Sequence, residues 1–395
     1  MKYRYLNNVR GMPKIMVLGL RGVPGIQGGV ETHAEKLYPI LARIGCDVEI
    51  ITRTPFHSND TGKEWSGVKL KRLWAPQITG LEAFLHTLLG VLYAGVKRPD
   101  ILHIHAIGPA IFAPLARLLG LKVVVTHHGF DYEREKWGTI ASYILKAGES
   151  LGMRFANKNI GVSRVICKFV KEKYRNNCVY IPNGVSIPEP PKSNFALKKY
   201  DLYSRKYILQ VSRMVPEKRQ IDLIHSFVKA NLVGWKLVLV GALYEHDNYS
   251  NKIKLLAKKH SNIVLTGFLK GLPLQEIYAN AGVFVLPSSH EGLAIVLLEA
   301  LSYGIYVLAS DIPPNLEIEL SPDQYFSLGK IDELTDRIKT VINEKLVTSE
   351  SCQEIKKQIK EKYDWELIAI QTLTVYKELC NKNVHGKIAN YIGLK

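Results

Sequence analysis

The chain has 395 residues, 47% hydrophobic and 23% charged, which is ordinary globular usage and excludes a disordered, collagen-like or coiled-coil polypeptide. At about 150 residues per domain, this length predicts two or three folded units. The formal charge of +17 lies almost wholly in the first half: residues 1–200 hold 29 Lys and Arg against 14 Asp and Glu, and residues 201–395 hold 24 against 22. Unless the source's proteins are basic in general, such asymmetry points to an anionic partner at one lobe, either membrane lipid or nucleic acid.

Five scattered cysteines, Cys46, Cys167, Cys178, Cys352 and Cys380, include no Cys-x-x-Cys pair. They support neither a disulfide framework nor a zinc site, and the expected compartment is a reducing cytoplasm. Residues 1–13 carry Lys2, Arg4 and Arg10 with no apolar stretch after them, so no secretory signal is expected. The most apolar segments, 80–95 and 107–121, are short and contain Glu82, His86 and Arg117, so no membrane span is expected either.

In chain order, short Val- and Ile-rich runs at 14–19, 47–52, 101–105, 122–126, 159–162 and 179–181 read as buried parallel strands. Helical spacing at 31–44 and 164–174 between them predicts a doubly wound α/β domain. Pro182-Asn183-Gly184-Val185, with Pro188, Pro190 and Pro191 after it, is turn chemistry at mid-chain. A second series of strands follows at 207–211, 235–240, 263–265, 283–286 and 306–309, and helices broken near Val347 and Asp364 fill 330–380. The expected domains are 1–185, 186–363, and a C-terminal helix and tail at 364–395 that could pack back on the first. Two such α/β domains are expected to hold a ligand cleft between the carboxyl ends of their sheets.

Four segments could carry chemistry. Gly22, Gly25, Gly28 and Gly29 follow the first strand and lead into a helix, where backbone amides could hold a phosphate; a flexible turn is the alternative. Their spacing fits neither the dinucleotide fingerprint nor a P-loop. After the strand at 207–211, Ser212-Arg213-Met214-Val215-Pro216-Glu217-Lys218 sets two cations where they could neutralise a departing diphosphate, or simply form a solvated loop.

In Ser288-Ser289-His290-Glu291-Gly292-Leu293-Ala294-Ile295-Val296-Leu297-Leu298-Glu299-Ala300, Glu291 precedes an apolar helix and Glu299 falls inside or near its buried part, where a carboxylate needs a partner. The two could touch different parts of one extended ligand, or serve as caps and ion pairs. His127 and His128 close a strand and lead into Gly129-Phe130-Asp131-Tyr132-Glu133-Arg134-Glu135-Lys136-Trp137-Gly138. With no Cys or acidic group at ligand spacing and no Asp-x-Asp, a polar cleft role or a structural histidine is expected rather than a metal.

Taken in this order, the segments resemble a bacterial retaining glycosyltransferase of the GT-B fold, in family 4, and the likeness runs over nearly the whole chain. It rests on Glu291-x7-Glu299, on Ser-Arg-x-x-x-Glu-Lys from Ser212, and on Gly-Gly-Val-Glu-Thr from Gly28. Arg-Gly-Val-Pro from Arg21 and His-Gly-Phe-Asp-Tyr from His128 are similar to an exopolysaccharide and O-antigen subgroup.

The resemblance implies two Rossmann-like domains, with the donor diphosphate on Arg213 and Lys218, the ribose on Glu299 and the donor sugar on Glu291. Amides at Gly292 and Leu293 and the glycine at Gly267 would lie nearby. Gly28, Gly29 and Asp131 would shape the acceptor side, with His128 near the sugar. Two positions depart from the family pattern: Arg219 stands where glycine often follows the lysine, and Ala294 replaces a second glycine.

The implied reaction moves a hexose or deoxyhexose from a nucleoside diphosphate sugar, of unassigned base, to a polyprenyl-diphosphate-linked saccharide. It would proceed with retention by a front-face route, without metal or cofactor, on the cytoplasmic face of the inner membrane. The anionic membrane surface, and not nucleic acid, is then the expected partner of the basic half. A sugar-nucleotide epimerase of the same fold and a basic nucleic-acid-binding protein are the rival readings.

Overall fold

Runs of Val, Ile and Leu too short for helices and buried on both faces pair into parallel strands. The computed structural model describes residues 11–56, 62–78, 80–133, 138–245, 247–344 and 349–380. They divide into two units, one running to Asn183 and resuming at Trp365, the other Gly184–Asp364.

The first unit has eight strands: β1 (Lys14–Leu18), β2 (Asp47–Arg53), β3 (Glu64–Trp65), β4 (Val68–Leu73), β5 (Ile101–His105), β6 (Val123–His127), β7 (Lys158–Gly161) and β8 (Cys178–Tyr180). Their spatial order is β3-β4-β2-β1-β5-β6-β7-β8, parallel except for the β3–β4 pair. The second unit orders β9 (Tyr207–Val211), β10 (Lys236–Val240), β11 (Ile263–Gly267), β12 (Val283–Leu286), β13 (Tyr306–Ser310) and β14 (Tyr325–Phe326) as β11-β10-β9-β12-β13-β14.

In both sheets the chain order reverses at one point, between β1 and β5 and between β9 and β12. That is the doubly wound pattern, whose ligands bind outside the strands' carboxyl ends at the switch.

Three strands were not anticipated. β4 alternates Lys69 and Lys71 with buried Val68 and Leu70, so one of its faces is wet and it shows no apolar run. β3 and β14 have two residues each, too few for any periodicity.

The helix Trp365–Leu379 belongs to the first unit, where Trp365, Ile368, Leu373 and Tyr376 join the core beside Leu37, Tyr38 and Leu41 of the helix Gly29–Arg43. The chain breaks again at Asp364; the expected break near Val347 lies outside the described residues.

Two features go beyond the sequence reading. Cys167 and Cys178 are not scattered in space: their Sγ atoms lie 3.1 Å apart as thiols beside Gly161, where an added Cβ would come 2.7 Å from Cys167 Sγ. In the helix Leu81–Lys97, the large apolar side chains form an outward-facing stripe. His86, Thr87, Gly90, Val91 and Ala94 are buried, while Leu81, Phe84, Leu89, Leu92 and Val96 are exposed, Val96 by 82%. The nearby helix Thr139–Phe155 exposes Ile140, Tyr143 and Ile144. Among the described residues, no helix is long and apolar enough to cross a membrane.

Candidate active site

In the second unit, the loops leaving β9 and β12 are the two at the switch point. Lys218 ends the turn Pro216–Lys218, and its Nζ donates to Glu291 Oε1 at 2.5 Å; the two side chains are only 15% and 10% exposed. The Ser289 amide donates to the Glu217 carbonyl (2.9 Å), which ties the two loops together. Gln220 Nε2 donates to Ser212 Oγ and to the Arg213 carbonyl, both at 2.8 Å. An Arg213 guanidinium nitrogen stands 3.9 Å from Glu217 Oε1. Gly292 and buried Leu293 lie in the loop between Glu291 and the helix Ile295–Ser302.

Glu299 sits within that helix, half-buried, and has the partner its position demands: the buried Tyr278 hydroxyl donates to its Oε2 at 3.1 Å. Burial first, and the Glu299 charge second, push the Tyr278 phenol well up, so it stays a donor. Gly267 closes β11 with φ +74°, a backbone conformation that glycine adopts without strain.

Arg219 takes the conformation that a glycine would hold there, φ +50°, at a cost of about 1 kcal/mol. Its Nε donates to Asp222 Oδ2 at 2.6 Å, which offsets part of that cost. Arg219→Gly is therefore expected to leave the melting temperature within about 4 °C of the parent. A larger fall in a thermal melt would mean that the ion pair, not the backbone, fixes this turn. Ala294 is buried with extended backbone just before the helix.

In the first unit, the helix Gly29–Arg43 starts directly after Gly28, as the glycine cluster implied. A Cβ at Gly28 would come 2.1 Å from the Glu31 carboxylate and 2.6 Å from the Arg21 guanidinium, so glycine lets that pair close; Arg21 Nε donates to Glu31 Oε1 at 2.9 Å. Around Gly29 the space is open.

The two adjacent histidines separate in role. His127 is fully buried and accepts the Gly129 amide on Nδ1 (3.2 Å), so its Nε2 proton faces Glu149 Oε1 at 3.0 Å. Burial alone would raise the Glu149 carboxyl, but hydrogen bonds from His127, Tyr174 and Lys173 outweigh it and hold it low. His128 is half-buried at the carboxyl end of β6, and Asp131 follows in the turn Asp131–Glu133. Arg134, Glu135, Lys136 and Trp137 lie outside the described residues.

Behind His128 stands a group that the sequence reading missed. His103 and His105 on β5, His33 and Tyr38 on the helix Gly29–Arg43, and Tyr376 are all buried. His105 Nδ1 bonds His128 Nε2 at 2.8 Å, and His33 Nδ1 bonds Asn183 Oδ1 at 2.9 Å. The one signal available was His-x-His inside an otherwise apolar strand. Burial pushes His33 down to about 4 and His103 to about 3, and drives His105 and His128 well down too, so these imidazoles are neutral.

Ring nitrogens of His33, His105 and His128 lie within 4.8 Å of one another. The 2.8 Å His105–His128 contact is nonetheless a proton-sharing distance. Two nitrogens on one tetrahedral zinc stand about 3.3 Å apart.

Residues 194–362 match the family described as Glycosyl transferases group 1, and residues 27–189 match Glycosyltransferase Family 4. A glycosyltransferase of Methanocaldococcus jannaschii is 25% identical over 92% of this chain and 98% of that protein. The UDP-Gal:alpha-D-GlcNAc-diphosphoundecaprenol alpha-1,3-galactosyltransferase of Escherichia coli is 27% identical over 66% of this chain and 72% of its own length. Among solved structures, the sucrose-phosphate synthase of Thermosynechococcus elongatus superposes with a TM-score of 0.79 at 18% identity, covering 94% of this chain and all of that one; it bears on the fold alone.

Proposed function

Since the chain belongs to the GT-B glycosyltransferases of the group 1 and family 4 superfamily, with relatives in bacterial polysaccharide biosynthesis, we propose that it moves a hexose or deoxyhexose from a nucleoside diphosphate sugar to a polyprenyl-diphosphate-linked saccharide. Transfer proceeds with retention and without a metal, in the assembly of a cell-surface polysaccharide.

The observation that carries this reading is the Lys218–Glu291 pair beside Arg213 at the switch point of β9 and β12. Two cations there neutralise a departing diphosphate, which a metal would otherwise do. Glu291 orients the donor sugar and Glu299 the ribose. Gly267, Gly292 and Leu293 complete the donor side, and Gly28, Gly29, His128 and Asp131 the side of the sugar and its acceptor. The leaving phosphate takes the acceptor's proton on the front face. The family assignment favours transfer over the epimerase and nucleic-acid readings.

Purified protein with a panel of nucleotide sugars and extracted lipid acceptor tests the proposal. Release of nucleoside diphosphate that needs acceptor and survives chelator is expected. Conversion of a nucleotide sugar to its epimer without acceptor and without net release of nucleoside diphosphate would favour the epimerase reading, and a strict metal requirement would overturn the metal-free route.

The outward face of Leu81, Phe84, Leu92 and Val96, on the half of the chain that carries most of the positive charge, supports peripheral docking on an anionic membrane surface. Each basic residue near such a surface adds about 1 kcal/mol. Binding to vesicles should therefore fall with salt and with loss of anionic lipid, and Phe84→Glu with Leu92→Glu should weaken it by roughly tenfold or more. Co-sedimentation indifferent to salt and lipid charge would remove the electrostatic part.

A further inference from the structure

Cys167 and Cys178 belong to two elements of the first unit that meet beside Gly161. Cys167 lies on the helix Arg164–Tyr174 and Cys178 opens β8, and their Sγ atoms stand 3.1 Å apart as thiols. A Cβ at Gly161, the last residue of β7, would come 2.7 Å from Cys167 Sγ and 3.0 Å from Cys178 Sγ. Glycine there leaves the space in which the two sulfurs meet. Both cysteines are half-buried, whereas Cys46 is buried in the core. Cysteines that serve only as apolar filling are enclosed and inert, and these two are open in part to solvent.

Among the described residues β8 is an edge strand, paired with β7 over three residues, and the chain leaves the first unit just after it, at Asn183. A covalent bond from Cys178 to the helix would tie this lightly held edge to the body of the unit.

We propose that Cys167 and Cys178 form a reversible dithiol–disulfide site, closed by exchange with a low-molecular-weight disulfide of the glutathione class, and that the closed form clamps β8 to the helix Arg164–Tyr174. The hydrogen bond with Cys167 first, and burial second, push the Cys178 thiol up, so Cys178 keeps its proton while the Cys167 thiolate attacks. That attack joins Cys167 Sγ to one glutathione sulfur and breaks the S–S bond of the oxidant, and the departing thiolate takes up the proton that Cys167 lost.

Once Cys167 is capped, the largest cause of the raised Cys178 value is gone. Cys178 then loses its proton and attacks Cys167 Sγ, and the second glutathione leaves with that proton. Two protein thiols have given up two electrons, and the oxidant has become two thiols. Sulfurs already in contact need to approach by only about 1 Å. Their proximity favours the internal disulfide over two mixed ones. In a reducing compartment the pair rests as thiols and closes when the thiol–disulfide balance shifts.

Full-length protein equilibrated with glutathione at graded ratios of the reduced to the oxidised form tests the proposal. Trypsin sites at Lys168, Lys171, Lys173 and Arg175 lie between the two cysteines, so closure links two peptides that reduction separates. The Cys167–Cys178 disulfide should exceed glutathione adducts at these residues by at least about tenfold, and dithiothreitol should reverse it. The closed form should melt roughly 5–10 °C above the reduced one, a difference that Cys178→Ser abolishes. In that variant Cys167 should instead accumulate as its mixed disulfide with glutathione. Gly161→Ala keeps both thiols and should lower the closed fraction several-fold, because its methyl group takes the space they share.

Absence of the Cys167–Cys178 disulfide at every ratio overturns the proposal, as does a majority of glutathione adducts at the two residues in the wild type. A closed form that melts no higher than the reduced one overturns the clamp. If Gly161→Ala does not fold, the wild-type ratio and the adduct on Cys178→Ser decide the matter.

Discussion

Lys218→Ala should lower kcat by a hundredfold or more, roughly 3 kcal/mol of transition-state stabilisation. If Lys218 meets the departing diphosphate, its charge is worth most when the leaving group is most anionic, so the loss should fall on kcat more than on donor KM. Arg213→Ala should behave alike. The Lys218–Glu291 pair complicates a single substitution, because a mostly buried carboxylate stripped of its cation can destabilise the fold by itself.

The double variant Lys218→Ala with Glu291→Gln separates the two effects. Neutralising Glu291 should restore the melting temperature lost in Lys218→Ala while turnover stays low. Recovery of turnover along with stability would make the pair a structural bridge. Glu299→Gln is expected to differ in kind, raising donor KM while leaving most of kcat, because the ribose contact proposed for it would be the same in ground and transition states.

The extent to which this site could be read from sequence follows from where each residue lies. Arg213, Lys218, Glu291 and Glu299 sit on loops and a helix next to strong apolar runs, so periodicity alone put Arg213 and Lys218 at the carboxyl end of β9 and Glu291 and Glu299 before and within the apolar helix that follows β12. The pairing of Lys218 with Glu291 across 73 residues was not legible, since no local pattern encodes it. His103 and His105 were counted as strand residues and nothing more; their chemistry appears only when Tyr38 and Tyr376, 65 and 273 residues from His103, close on them. The stripe at 81–96 was legible as a stripe that could face either the core or a membrane surface, and the structure turns it outward. Small and polar His86, Thr87 and Gly90 turn inward because a Cβ at Gly90 would lie 2.3 Å from the Leu18 side chain, which pushes the bulky Leu and Phe residues outward.

The same buried imidazoles should make the first unit acid-labile. His33 and His86 are pushed down to about 4 and His103 to about 3, chiefly by burial, with the Arg53 charge adding to the effect at His86. In the unfolded chain each titrates near 6.5. Below that pH the unfolded state binds protons that the folded state does not, so the stability that is full above 6.5 is lost as pH falls toward the folded values.

Each imidazole that stays neutral costs about 1.4 kcal/mol per pH unit below 6.5, and three together cost on the order of 5 kcal/mol between pH 6.5 and 5. That approaches the whole stability of many domains. A fall of roughly 10–20 °C in the melting temperature of this unit is expected between pH 7 and 5. Glu149, held low by its hydrogen bonds, adds a further loss of the same sign as its carboxylate protonates at lower pH. His86→Leu removes one such titration without touching the Tyr38 network, so it should flatten the profile by about one proton between pH 6 and 4.5. A melting temperature that holds from pH 7 to 5 would show that these rings gain protons in place, and the neutral network would fall with it.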